Sequence, residues 1–170
     1  MTDETVRLRA ARPDDLDEVA TLVLACWRVS YAGVLPEPVV ALFDEAAARA
    51  LWQRALETPR PGSSGIVADG PDGVAGIIRL GTDPDEPTAG HVSSLYVDPA
   101  AQGLGIGGRL LREAVRQFHD AGRTEATLWV FAANAAASGF YARHGFHPDG
   151  GERVEPEFGE PELRLRRTID

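Results

Sequence analysis

A glycine-rich segment directly before a helical pattern is the feature that most constrains this chain. Residues 102–108 read QGLGIGG, and residues 108–120, GRLLREAVRQFHD, carry the apolar spacing of an amphipathic helix. Glycine is disfavoured inside a helix because its backbone loses the most entropy on ordering. Its concentration here predicts a helix N-terminus with exposed backbone N–H groups, where the helix dipole also favours negative charge. We therefore expect a phosphate-binding site.

The glycine spacing narrows the choice of phosphate ligand. A nucleotide-binding P-loop needs Lys and then Ser or Thr after its last glycine, whereas Gly108 is followed by Arg109. The dinucleotide pattern G-x-G-x-x-G is matched at Gly103, Gly105 and Gly108, but its acidic partner should end a later strand, and Glu125 begins one. The spacing thus excludes a P-loop and disfavours a dinucleotide, and it leaves open another phosphate-containing ligand, such as coenzyme A, or a glycine-rich turn that binds nothing.

The rest of the chain alternates between strand-like and helix-like segments in the order β-α-α-β-β-β-α-β-α-β. This order predicts an α/β (α+β) fold with a central, twisted, mixed sheet flanked by helices. The second helix is expected to continue to about Glu57, GIVAD and GVAGIIRL to form a hairpin, and residues 161–167 to form the last strand. A short helix from Asn134 to His144 should end at Gly145. Without a repeat or a long linker, residues 1–170 are expected to form a single domain.

Charge and composition limit the partners. The chain has 17 Lys and Arg against 26 Asp and Glu, a formal net charge of −9, which argues against nucleic acid or an anionic membrane and favours a cationic ligand. The same charge would also serve solubility alone. No apolar run reaches membrane-spanning length, no signal-peptide pattern is present, and the single cysteine, Cys26, permits no internal disulfide. We expect a cytoplasmic protein without a metal site, since the histidines lack metal-ligand spacing.

Two motifs resemble those of the GNAT superfamily of N-acetyltransferases. Residues 95–111, LYVDPAAQGLGIGGRLL, are similar to its acetyl-CoA signature Q/R-x-x-G-x-G/A, with Gln102, Gly105 and Gly107 in the fixed positions. Residues 134–146, NAAASGFYARHGF, match its second pattern, N-x-x-A-x-x-F-Y-x-x-x-G-F. The segments RPDDLDEVATLV and WRVSYAGVLP also look like the first two helices of many members, so the resemblance covers most of the chain.

The resemblance implies that acetyl-CoA (coenzyme A) is the co-substrate. Its pyrophosphate would lie on the backbone of the glycine segment, and its pantetheine arm would pair with the preceding strand like an added strand. The residues implied in binding are Leu95, Tyr96, Val97, Gln102, Gly103, Leu104, Gly105, Ile106, Gly107, Gly108, Asn134, Phe140 and Tyr141. Asn134 would also cap the short helix, and Phe140 would point away from the site, toward the core.

The same resemblance implies the catalytic groups. Tyr141 would act as general acid and protonate the departing CoA thiolate, and a backbone N–H near Val97 would stabilise the oxyanion. The candidate general base is His91, at a position where many relatives have a glutamate. Its ordinary pKa near 6.5 suits removal of a proton from an amine. A merely solvated His91, or a water chain held by Ser93 and Ser94, remain alternatives.

Together these implications predict an acetyl-CoA-dependent N-acetyltransferase that acetylates a primary amine of a small molecule or peptide directly, through a tetrahedral intermediate. The alternative is a non-catalytic acyl-CoA-binding module on the same fold. The acceptor is expected beside the acidic stretch DGGERVEPEFGEPE, residues 149–162, which would attract a polyamine, an aminosugar or a basic peptide. The protein is expected to be a monomer or homodimer. The sequence leaves the acceptor, the base and the use of larger acyl groups open.

Overall fold

The structure, a computed structural model, describes residues 6–170, so residues 1–5 of the expected domain lie outside the described residues. Short 3₁₀ turns occupy Pro13–Asp15 and Pro99–Ala101. The helices of the described residues are α1 (Leu16–Ser30), α2 (Glu37–Leu42), α3 (Glu45–Glu57), α4 (Ile106–Asp120) and α5 (Ala135–Arg143). The strands are β1 (Arg7–Ala10), β2 (Ser64–Gly70), β3 (Gly73–Thr82), β4 (Gly90–Val97), β5 (Glu125–Phe131), β6 (His147–Val154) and β7 (Pro161–Thr168).

These strands form one mixed sheet in the order β1-β2-β3-β4-β5-β7-β6. Neighbouring strands are antiparallel except for β4 and β5, which run parallel. A parallel pair needs a crossover connection, and α4 supplies it. The mixed α/β architecture with flanking helices is confirmed.

Helices cover the sheet on both sides. Helix α4 buries Ile106, Leu110 and Leu111 against one side, which we call the α4 face. Helices α1 and α3 cover the other side, the α1 face, where Val23 and Trp52 are fully buried. Each buried aliphatic side chain contributes about 1.5–3 kcal/mol to folding. The central strands are therefore held mainly by packing on both faces.

The predicted element order missed one strand. Residues 147–154 form β6, which pairs with β7 at the edge of the sheet, so the sheet has one strand more than the sequence pattern indicated. The sequence HPDGGERV contains Pro148 and two glycines and shows no apolar alternation, because almost all of this edge strand is exposed. Its register also shifts between Pro148 and Glu152. Much of the acidic stretch expected to be a loop is therefore strand.

Helix boundaries differ from the expectation at one place. The single helix predicted up to Glu57 is two helices, α2 and α3. The break occurs because Asp44 starts a new helix as its N-cap, its side chain accepting from the N–H of Ala47 at 2.8 Å. The β2–β3 hairpin and the short helix α5 are confirmed, and Gly145 follows α5 with a φ of 81°.

Gly90, the first residue of β4, tests how closely α4 packs on the sheet. A Cβ atom at this position would overlap the ring of Phe118 on α4, closer than two non-bonded carbon atoms can approach. We expect Gly90→Ala to lower the free energy of unfolding by about 1–3 kcal/mol, because the filled core cannot accept the methyl group without shifting.

The matched control is Gly139→Ala in α5, where a Cβ would lie 3.6 Å from a guanidinium nitrogen of Arg143. This change should be neutral or stabilise the helix by up to about 1 kcal/mol. Urea unfolding of both variants measures the effect. A Gly90→Ala protein as stable as its parent would contradict the packing of Phe118.

Candidate active site

Strands β4 and β5 separate along their length. Three residue pairs join them, ending at Val92↔Leu128. At the same place the register between β4 and β3 shifts, so that Ser93 is an extra residue between the paired residues Val92 and Ser94. Such a bulge bends its strand. We call the gap that opens between β4 and β5 beyond this point the wedge.

The backbone of β4 beside the wedge has N–H and C=O groups that do not pair with β3. The N–H of Asp98 donates to the carbonyl of Ala75 in β3 at 2.9 Å. In an antiparallel pair, every second residue of a strand forms hydrogen bonds with the same neighbouring strand. The N–H and C=O groups of Tyr96, two residues before Asp98, therefore also bond to β3. The N–H and C=O groups of Leu95 and Val97 then point the opposite way, into the wedge. Of the three β4 residues predicted to pair with coenzyme A, two therefore have backbone groups that point into the wedge, and Tyr96 does not.

The carbonyl of Val97 has two side-chain partners. Cys26 Sγ donates to it at 3.0 Å, and Nε2 of Gln102 donates at 3.3 Å. Cys26 is 1% exposed, and burial, assisted by the nearby carboxylate of Asp98, raises the pKa of its thiol to about 12. Cys26 is therefore a protonated thiol at neutral pH.

The glycine segment forms the expected helix start. Asp98 caps the 3₁₀ turn by accepting from the N–H of Ala100 at 2.8 Å. Gly103 and Gly105 have φ angles of 81° and 83°, in the left-handed region that glycine adopts without strain. Gly105 is the N-cap residue of α4, so the first N–H groups of this helix have no partner within it.

Side chains around the glycine segment pack it against the core and α5. Ile106 is 1% exposed and Leu104 packs on the same core, so these two predicted site residues offer their backbone alone. A Cβ at Gly107 would lie 3.4 Å from the Phe140 ring. This is an ordinary contact distance, so the packing of α4 on α5 does not by itself require glycine at this position.

Helix α5 and its N-cap residue include three of the predicted site residues, Asn134, Phe140 and Tyr141. The side chain of Asn134 accepts from the N–H of Ala137 at 3.0 Å, so its capping role is confirmed. The rings of Phe140 and Tyr141 are half-buried against the same core, with centroids 5.2 Å apart. Phe140 packs on the core as expected, and the edge of its ring lies toward Gly107, since a Cβ added there would be 3.4 Å from it.

The three tyrosines of the chain meet around the wedge. Tyr31, at the end of α1, hydrogen-bonds through its side chain with Tyr96. Tyr141 comes from the α4 face, yet it interacts electrostatically with Tyr31. Burial, with a smaller contribution from Tyr31, raises the pKa of Tyr141 above its ordinary value of 10, so its phenol stays protonated.

His91 lies where the wedge begins, on the α1 face. Its Nδ1 is 2.8 Å from Oγ1 of Thr127 in β5, and the Thr127 hydroxyl donates to Oδ2 of Asp83. Burial lowers the pKa of His91 below its ordinary value of 6.5, an effect that Asp83 opposes. His91 is therefore a neutral imidazole at pH 7. Of the two serines considered as holders of a water chain, Ser93 is exposed and Ser94 has a buried hydroxyl without a partner among residues 6–170.

The acidic stretch of residues 149–162 carries less free charge than its sequence suggests. Asp149 binds Arg164 at 2.7 Å and Arg166 at 3.0 Å. Glu162, which is 7% exposed, binds Arg153 at 2.7 Å. These ion pairs tie β6 to β7 and neutralise part of the stretch.

Sequence reasoning missed a basic pocket beside the glycine segment. This open pocket of about 820 Å³ lies between α4, α5 and β7. Two carboxylates, Asp149 and Asp170, also line it, but basic residues predominate: Arg112, Arg143, His144, His147, Arg166 and Arg167. A Cβ at Gly108 would meet Nε2 of His144 at 2.8 Å and a guanidinium nitrogen of Arg112 at 3.3 Å, which puts the pocket beside the first turn of α4. The sequence positions of two arginines could have indicated this pocket. Arg112 follows Gly108 by one helical turn, and Arg143 stands at a position of the second motif that the family pattern leaves unspecified.

Across residues 6–170, no group of three or more His, Cys, Asp or Glu side chains is placed to hold a metal ion. No helix in this part of the chain is both long enough and apolar enough to cross a membrane.

The sheet with its wedge, the glycine segment and the second motif define the class of protein. The sequence model of the "Acetyltransferase (GNAT) family" matches residues 18–146. The chain therefore belongs to the GNAT family of acetyltransferases, whose members use acetyl-CoA, and the predicted fold and enzyme class are confirmed.

Particular relatives agree with this assignment. "Probable N-acetyltransferase Rv2775" from Mycobacterium tuberculosis is 33% identical over 153 residues, which span 88% of this chain and 84% of the relative. Mycothiol acetyltransferase from Gordonia bronchialis is 38% identical over 73 residues, 43% of this chain but 23% of the relative. The crystal structure of PaiA N-acetyltransferase from Thermoplasma acidophilum with coenzyme A has a TM-score of 0.76 at 18% identity, covering 96% of this chain and 98% of that one. The structural likeness shows the fold alone.

Proposed function

We propose that this chain transfers an acetyl group from acetyl-CoA directly to a primary amine, with the wedge as its active site. The observation that carries the proposal is the coincidence of two open backbone surfaces. One consists of the N–H and C=O groups of Leu95 and the N–H of Val97, whose carbonyl already accepts from two side chains, and the other is the set of N–H groups at the start of α4. Only residues 98–105, which include the 3₁₀ turn and the first two glycines of the segment, separate them along the chain.

Coenzyme A fits these surfaces chemically. The pantetheine arm contains two amide groups, which can pair with Leu95 and Val97 as an added strand. The pyrophosphate suits the N–H groups of residues 103–108 and the positive end of the α4 dipole. The 3′-phosphate of the adenosine would lie in the basic pocket, near Arg112 and Arg143. Acetyl-CoA supplies an acetyl group activated as a thioester.

Two side chains would handle protons. His91 is the proposed base: an aliphatic ammonium group has a pKa near 10 and is charged at pH 7, so a neutral imidazole must remove its proton before attack. Tyr141 is the proposed general acid, because a phenol that stays protonated beside the wedge can donate to the departing thiolate. The N–H groups of Leu95 and Val97 are the donors available for the oxyanion.

The state of Cys26 supports direct transfer over an acetyl-cysteine route. The thiol lies beside the wedge, but burial raises its pKa to about 12 and it donates to the carbonyl of Val97. A protonated thiol is a poor nucleophile. Attack by the amine itself is therefore the proposed route.

The charges around His91 favour a cationic acceptor. Asp83 and Asp85 act on His91 as negative charges. The two arginines that oppose them, Arg153 and Arg164, are each paired with a carboxylate of β6 or β7. The remaining local charge is negative and would attract a protonated amine. We propose a polyamine, an aminosugar or a basic peptide as the acceptor class.

An acceptor panel tests the proposed function. Thiol release from acetyl-CoA would be measured with spermidine, glucosamine, a lysine-containing peptide and, as an amine of opposite charge, glutamate; calorimetry would measure CoA binding in parallel. We expect CoA binding and a kcat/KM for at least one cationic amine that exceeds the glutamate value by at least about tenfold. Binding without turnover on any amine would contradict the proposal and favour the non-catalytic acyl-CoA-binding module.

Gly107→Asp tests the glycine segment. A Cβ at Gly107 would meet Phe140 and Val97 at 3.4–3.5 Å, an ordinary contact distance, so the fold should survive. The added carboxylate would repel the pyrophosphate, and we expect the Kd for CoA to rise at least about 100-fold, which corresponds to roughly 3 kcal/mol.

The control is Ala46→Asp, which places the same charge at an exposed position of α3 on the α1 face. Its Kd for CoA should stay within about twofold of the parent value. Circular dichroism confirms that both variants are folded. A folded Gly107→Asp protein with parental affinity would remove the glycine segment from the site.

Tyr141→Phe tests the chemical step. The change removes one oxygen and keeps the ring that packs on the core, so Tm and CoA affinity should change little, while kcat falls by about 10- to 100-fold. Because the pKa of Tyr141 is raised above 10, the phenol is protonated throughout the usual assay range. The pH profile should therefore keep its shape between pH 6 and 9 and lose only height. A folded variant with parental kcat would leave Tyr141 as a packing residue and water as the proton donor.

A further inference from the structure

His91, Thr127 and Asp83 form a hydrogen-bonded chain of side chains at the start of the wedge. They come from β4, from β5 and from the segment after β3. Thr127 is fully buried, Asp83 is 2% exposed, and the side chain of His91 is 12% exposed. Nδ1 of His91 lies 2.8 Å from Oγ1 of Thr127, whose hydroxyl donates to Oδ2 of Asp83. Neither Asp83 nor Thr127 takes part in the proposed transfer itself. Because burial of a carboxylate costs free energy, its place beside His91 requires an explanation.

The single proton of the Thr127 hydroxyl sets the direction of this chain. Oδ1 of Asp83 accepts from the backbone N–H groups of Asp85 and Glu86 at 2.8 and 3.0 Å. Burial raises the pKa of Asp83, but the hydrogen bonds from Thr127 and from these N–H groups outweigh it and hold the pKa below its usual value. Asp83 is thus an ionised acceptor, and Thr127 directs its proton to it. The Thr127 oxygen can then only accept from His91, so Nδ1 carries the hydrogen and Nε2 the lone pair.

We propose that Asp83 and Thr127 are positioning residues that hold His91 in the Nδ1–H tautomer and so direct the Nε2 lone pair to the acceptor amine. The inference rests on the proposed function, in which His91 is the base. Nε2 takes one proton from R–NH3⁺, which leaves R–NH2 with its electron pair and converts His91 to the imidazolium. Nδ1–H continues to donate to Thr127, and the negative charge of Asp83 stabilises the new positive charge. Thr127 and Asp83 themselves exchange no proton.

Charged groups from the β3–β4 connection, from β6 and from β7 act on His91. Asp83 and Asp85, both in the β3–β4 connection, favour the protonated ring, and Arg153 of β6 and Arg164 of β7 oppose it. Removal of the Asp83 charge would leave the arginines less opposed and make the ring harder to protonate. Asp83→Asn should therefore move the acid limb of the kcat/KM profile to lower pH.

The tautomer can be measured without any substrate. In ¹⁵N-labelled full-length protein, long-range ¹H–¹⁵N spectra distinguish a protonated from an unprotonated ring nitrogen. The signals of His91, one of four histidines, are assigned by their loss in His91→Gln. We expect the Nδ1–H tautomer in the parent protein at pH 7.5, its retention in Thr127→Ser, which keeps the hydroxyl, and a mixture of tautomers in Thr127→Val. If Thr127→Val does not fold, Asp83→Asn provides the second comparison. An Nε2–H tautomer in the parent would overturn the proposal whatever the activity.

Kinetics then separate the positioning role from the identity of the base. With the best amine of the panel, we expect Thr127→Val to lower kcat about tenfold with little change in KM, and Thr127→Ser to restore most of the rate. If His91→Gln shows the parental kcat/KM and pH profile, the proposed base is wrong. The NMR measurement of the tautomer then still tests, independently of activity, whether Thr127 and Asp83 orient the ring of His91. If His91→Gln is slow but Thr127→Val has the parental rate and tautomer, the positioning role is contradicted and the base stands.

Discussion

The end of the β4–β5 pairing at Val92 is the constraint on which the site depends. Beyond it, Leu95 and Val97 turn their N–H and C=O groups toward a strand that has moved away. A half-buried backbone group without a partner costs about 1–3 kcal/mol. The protein offsets part of this cost at the Val97 carbonyl, which accepts from Cys26 and Gln102. The groups that remain are ones that an amide-containing ligand can satisfy, so binding such a ligand completes the sheet.

Packing on both faces of β4, rather than hydrogen bonds along both of its edges, keeps the strand in place beside the wedge. Leu95 and Val97 pack on the core of the α4 face, while Tyr96 packs on the core of the α1 face. The approach of α4 to the sheet is very close, since a Cβ at Gly76 in β3 would lie 3.1 Å from the Leu110 side chain. A strand that is packed on both faces can leave one edge without hydrogen bonds and keep its position, because closely packed interiors resist deformation.

The sequence predicted those parts of the fold and site that depend on local chemistry. Local backbone geometry requires the glycine segment, the Asn134 cap and the glycine at the end of α5. Each of these features can be recognised from a few consecutive residues of the sequence. Strand β6 could not be read in this way, because an exposed edge strand has no buried face to impose an apolar period. The contacts between His91, Asp83 and Thr127 are equally invisible, since the sheet alone brings together residues 36 and 44 positions apart. The charge of the acidic stretch was visible, but not the arginines from β7 that neutralise it.

Burial sets the protonation states of three titratable side chains around the wedge, His91, Tyr141 and Cys26. Removal from water disfavours the charged form of any group, so it lowers the pKa of a base and raises the pKa of an acid. His91 is shifted down and is neutral at pH 7, whereas Tyr141 and Cys26 are shifted up and keep their protons. The same desolvation therefore prepares a proton acceptor, a proton donor and an unreactive thiol. Asp83 then restores part of the proton affinity that His91 has lost, which a base needs in order to hold the proton it takes. On this argument the buried carboxylate sets the strength of the base, in addition to the orientation that Thr127 transmits.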